Sequence, residues 1–92
     1  MINPDTIKQS LKEKGYTTIY EFDDVAEENF PDHSHEGDQL MTIIKGSMEV
    51  DMDGEHHILN SGDELFFPAK QIHSATMGPQ GCEYLVGEKP TA

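Results

Sequence analysis

Residues 46–60 read Gly-Ser-Met-Glu-Val-Asp-Met-Asp-Gly-Glu-His-His-Ile-Leu-Asn. From Ser47 to Met52 the residues alternate. On an extended chain Met48, Val50 and Met52 share one face, and Glu49 and Asp51 the other. Asp53-Gly54 then supplies two residues that accept the positive φ of a two-residue hairpin turn. A turn there sets Met52 opposite Glu55, Val50 opposite His57 and Met48 opposite Leu59. His57 then shares a face with Val50 and Met48, near enough to a cavity mouth but more simply structural. His56 falls across from Asp51 as a surface partner.

Further strands flank this hairpin. Leu40–Lys45 is an apolar run ending at Gly46, and Thr17-Thr18-Ile19-Tyr20 is β-branched and aromatic. Downstream, Asn60-Ser61-Gly62-Asp63 reads as a turn, Leu65-Phe66-Phe67 as a strand stopped by Pro68, and 72–76 as another strand. Gly78-Pro79-Gln80-Gly81 reads as a further turn, 82–86 as a last strand, and 87–92 as a frayed tail. Before the strands, Asn3 is a natural N-cap with Pro4 at the first helical position, Ile7 and Leu11 share a face, and Gly15 is a natural stop. One helix over residues 4–14 is expected. Short strands separated by frequent turns point to an all-β barrel or sandwich. Leu40, Ile43 and Ile44, like Leu65, Phe66 and Phe67, put apolar side chains on both strand faces. The outer face needs cover, from the helix or a second subunit, so a homodimer is expected.

The 92 residues suffice for one domain with a small core. Eighteen acidic residues face six lysines and no arginine, a formal net charge of -12. That surface repels phosphate backbones and anionic lipid, so neither nucleic acid nor membrane is an expected partner. Without arginine there is no bidentate clamp for a carboxylate or phosphate, and the expected small-molecule ligand is not strongly anionic. The lone Cys82 allows no internal disulfide, and no stretch has the character of a secretory leader or membrane span. A cytoplasmic location is expected.

The histidines carry the chemistry. His33 and His35 are two apart, which on one strand aims both rings the same way; His73 sits on another expected strand. Neutral imidazoles from separate segments suit a transition metal. The surrounding spacing resembles the two motifs of the cupin superfamily. His33-x-His35, three residues, Gln39, six residues, Gly46 follows the first. Gly62, five residues, Pro68, then His73 follows the second. The chain departs from the pattern at four anchors: Glu27 and Lys70 stand where the motifs have glycine, Gln39 where the first has its acidic ligand, and Met77 where the second has asparagine.

The resemblance implies a small cupin-type double-stranded β-helix, a jelly-roll barrel with a short N-terminal helix. It would form a single domain over 1–92, with the barrel at about 16–86. It implies one divalent metal ion (Zn, Fe, Ni, Mn or Cu) held by His33, His35, Gln39 and His73. Gln39 offers only a neutral carbonyl oxygen, so the ion would keep its full charge and act as a stronger Lewis acid. Asp38, adjacent but facing the other way on an extended chain, ranks below it. Cys82 reads as a buried small hydrophobe. Three readings follow: a metal-dependent enzyme of oxygenase- or isomerase-like type, a non-catalytic binding or sensing module, or a structural or interaction barrel, against which the three histidines at motif spacing argue. No catalytic residue is identified from the sequence.

Overall fold

The computed structural model describes residues 2–89. Helix α1 (Pro4–Glu13) begins where expected, with the Asn3 side chain accepting the Asp5 N–H. Six strands follow: β1 (Thr18–Asp24), β2 (Asn29–His33), β3 (Gln39–Met52), β4 (Glu55–Asn60), β5 (Glu64–Phe67) and β6 (His73–Glu88). The β3–β4 hairpin has the expected register, with Met52 opposite Glu55, Val50 opposite His57 and Met48 opposite Leu59. Asp53 and Gly54 at its tip both have positive φ.

Two strands are longer than expected. The runs on either side of Gly46 are one strand, β3. Residues 72–76, the turn at 78–81 and the strand at 82–86 are also not separate, because β6 runs through them. The glycines mark bulges rather than turns. Gly46 and Gly81 have φ of +84° and +78°, and the β3–β6 register shifts between Gly46 and Met48. Gly78 is buried against Ser47, where a Cβ would lie 1.9 Å from the hydroxyl oxygen. The glycines let two backbones bend past each other. The 87–92 tail is not frayed where it is described: Gly87 and Glu88 pair with both β1 and β3. Residues 90–92 lie outside the described part.

These bends make the barrel. The first half of β3 lies between β5 and the last part of β6, which also pairs with β1. The second half of β3 lies between β4 and the first part of β6, which also pairs with β2. All pairs are antiparallel. Two four-stranded sheets thus share β3 and β6, the arrangement of a small jelly roll. Its inner core contains Met41, Ile43, Met48, Val50, Phe67 and Met77. A second cluster, Leu11, Tyr16, Leu40 and Leu85, lies between α1 and the outer face. The helix therefore covers part of the second apolar face, while Phe66, Ile58 and Ile72 remain exposed.

Candidate metal centre

His33 is the last residue of β2 and lies directly opposite His73, the first residue of β6. Their rings are 4.3 Å apart, centroid to centroid. His35 is not on the strand. The chain leaves the ladder after His33, and the His35 carbonyl accepts the Lys70 N–H at 2.7 Å, tying it to the turn after β5. Its ring still reaches the other two, at 5.0 Å from His33 and 5.2 Å from His73. One ring nitrogen from each histidine can be chosen so that all three lie within 4.8 Å of one another. The three are thus brought together by two strand ends and a loop, not by two strands.

The hydrogen bonds select the tautomer. His33 Nδ1 is 2.8 Å from the Pro31 carbonyl, and His73 Nδ1 is 3.0 Å from that of Gln71. A carbonyl only accepts, so each Nδ1 carries a proton, and in the neutral ring Nε2 is then the atom that offers a lone pair. Backbone carbonyls holding Nδ1–H are the usual orienting partners of metal-ligating histidines. Burial, and then His33, hold His35 below the ordinary imidazole pKa, against an opposing pull from Glu88. Burial also lowers His73, with His33 and His35 adding to the effect and the Gln71 carbonyl opposing it. Both rings are therefore neutral near pH 7, as ligation requires. The donor set fits a borderline-soft divalent ion.

The glycine replacements keep the geometry. The Glu28 N–H bonds the Val25 carbonyl and the Gln71 N–H the Pro68 carbonyl, so Glu27 and Lys70 each occupy the third position of a four-residue turn. Their φ values are 61° and 65°, the left-handed conformation such a position requires. Both turns keep the backbone path of a glycine without the glycine.

Gln39 opens β3, is 6% exposed, and lines the same cavity as the three histidines. Its Nε2 donates to Glu88 Oε1 at 2.8 Å, which leaves the carbonyl oxygen as its free donor atom. Asp38 is turned away, with its Oδ1 accepting the Ala69 N–H at 2.8 Å. His56 lies between Asp51 and Glu49, at 2.6 and 2.8 Å. His57 stands beside Glu55 at 3.8 Å, outside the cavity wall. Cys82 is buried in the core, and burial raises its thiol pKa to about 12, leaving it unreactive.

The cavity measures about 440 Å³ and has a mainly apolar wall that includes Phe30, Met41, Met48, Val50 and Phe67. Four side chains of its wall escaped the sequence. Tyr84 lines it, stacked on Phe22 at 5.1 Å, with its hydroxyl donating to Asp24 at 2.5 Å. Burial, and then that bond, raise the phenol well above its ordinary pKa. Asp24 and Glu28 add acidic groups to the wall, and Glu88 a third. The alternation of 82–86 puts Tyr84 on the face of Cys82 but does not show which side of the barrel that face meets.

The cupin-domain family matches residues 21–86. No curated protein matches the chain. Among solved structures, the chain is similar to a conserved protein of unknown function from Streptococcus pyogenes, with 29% identity over 80% of this chain and 65% of that one and a TM-score of 0.68. It resembles the DMSP lyase DddQ from Ruegeria pomeroyi, with 25% identity over 78% of this chain and 37% of that one and a TM-score of 0.73. An RmlC-like cupin from Shewanella frigidimarina shares the fold, with 23% identity over 80% of this chain and 66% of that one and a TM-score of 0.73. The chain thus spans about two thirds or less of the length of these three proteins. With the matched residues covering well over half its length, this chain belongs to the cupin-domain family.

Proposed function

We propose that this chain is a small metal-binding cupin that acts as a metal-dependent enzyme on a small, not strongly anionic molecule. One divalent transition-metal ion would be held by His33, His35 and His73, with the Gln39 carbonyl as a neutral fourth donor. The observation that carries the reading is the pair of Nε2 lone pairs on His33 and His73, fixed by backbone carbonyls in the wall of an apolar cavity. A bound ion would supply Lewis acidity. The chain's own residues do the rest. Met41, Met48 and Phe67 exclude water and raise the effective strength of charges in the cavity. Tyr84 keeps its proton and commits it to Asp24. The cavity wall carries three carboxylates and, among the described residues, no lysine, which favours a neutral or cationic ligand over an anionic one. Similarity to a DMSP lyase supports small-molecule chemistry of this kind.

The test is the metal content of tag-free protein, followed by ligand screening and turnover assays on the metal-loaded form. Near-stoichiometric metal in the wild type, lost in His73→Ala, is expected. Wild type purified and reconstituted without bound metal overturns the reading; ligand binding without turnover reduces it to a binding or sensing module. We also propose that the molecule is a homodimer, because Phe66, Ile58 and Ile72 stay exposed after α1 has docked.

A further inference from the structure

The family pattern places an acidic ligand where this chain has Gln39, and a carboxylate stands next to that amide. Glu88 lies opposite Gln39 in the β3–β6 register. Both side chains line the cavity that the three histidines line, and the Gln39 amide donates to the Glu88 carboxylate. The Glu88 backbone is paired on both sides, with Thr18 of β1 and with Gln39 of β3. The segment is closed further by the Lys89 N–H, which bonds the Asp38 carbonyl at 2.9 Å. Gly37 permits this approach. A Cβ there would lie 2.2 Å from the Lys89 carbonyl oxygen and 3.2 Å from both Cγ and Oε2 of Glu88. Glu88 is thus a fixed carboxylate at the edge of the triad, with one oxygen taken by Gln39. It is not among the groups whose ligand atoms all lie within 4.8 Å of one another. Its action is therefore that of a neighbouring charge rather than of a fourth tight ligand.

We infer that Glu88, held by Gln39, supplies the negative charge of the metal centre from the strand paired with β3, in place of a carboxylate at position 39. This rests on the reading that the triad holds a divalent ion. An anion fixed beside the site attracts the cation and orients the neutral donor through its hydrogen bond. Removing such a partner characteristically weakens metal binding by about 10–100-fold.

The experiment is a titration of the full chain with Zn²⁺ alone, in competition with a chromophoric chelator, on wild type, Glu88→Gln, the exchange variant Gln39→Glu/Glu88→Gln, and His73→Ala. Thermal unfolding of each metal-free protein serves as the control for folding. Glu88→Gln is expected to bind about 10–100-fold more weakly. The exchange variant restores the charge and is expected to recover most of that about 10–100-fold loss. Wild type that binds normally while Glu88→Gln binds equally well overturns this inference and leaves the triad reading intact. Loss in both Glu88→Gln and the exchange variant also overturns it, because the loss is then not one of charge. No Zn²⁺ binding by wild type, or full binding by His73→Ala, overturns the triad reading itself. If Glu88→Gln fails to fold, the exchange variant decides: binding near wild type supports the inference, and weak binding overturns it.

Discussion

At the residue scale, two side chains have consequences that stand apart from the metal. His56 is clamped between Asp51 and Glu49, and these hydrogen bonds raise its pKa above the ordinary imidazole value, Asp51 contributing most. A raised folded-state pKa means that the charged ring favours folding. That contribution is complete below the unfolded value of about 6.5 and is lost as pH rises through the folded value. An NMR titration of His56 should therefore give a midpoint above about 6.5, and Asp51→Asn should lower it. Lys70 has its own cost. A residue with a Cβ in the left-handed region loses roughly 1–2 kcal/mol, and glycine's extra unfolded-state freedom takes back about 0.5–1 of it. Lys70→Gly keeps the N–H that bonds His35 and should stabilise the metal-free protein by about 0.5–1 kcal/mol, raising Tm by a few degrees. An unchanged or lower Tm would show that Lys70 gains something else in place.

At the element scale, α1 is held by little besides its apolar face. Leu11, 2% exposed, is its buried anchor and packs with Tyr16, Leu40 and Leu85. Leu11→Ala should cost about 2–5 kcal/mol in chemical denaturation. A loss below about 1 kcal/mol would mean that the helix adds nothing to the cover of that face. The sequence showed this element plainly, because its cap, its proline and the spacing of Ile7 and Leu11 are all local. The β3–β4 hairpin was legible for the same reason: alternation and the Asp53-Gly54 turn together allow one register only. The Gly78–Gly81 stretch misled because glycine and proline mark turns and bulges alike. Which one forms depends on whether a partner strand bends alongside, and here β3 does, at Gly46.

For the whole molecule, the two shared strands decide both the cavity and its outer surface. The same bends that close the barrel leave Phe66, Ile58 and Ile72 on the outside, on a domain too small to bury all of its apolar residues. Sedimentation velocity at micromolar concentration should give a dimer, and Phe66→Glu should shift it toward monomer. A monomeric wild type would end that proposal. No helix among the described residues is long and apolar enough to cross a membrane.

By itself the sequence determined the helix, the hairpin and the meeting of His33, His35 and His73. The first two rest on local periodicity and turn chemistry, the third on the spacing of two motifs. Only the tertiary structure decided that His35 approaches from a loop, that β6 continues through its glycines, and that Gln39 faces Glu88 from 49 positions away along the chain. A contact between paired strands depends on register, and each bulge shifts register by a residue. Those shifts take their values only when β3 and β6 bend together, so no stretch of either strand read alone contains the pairing that puts a carboxylate beside the histidines.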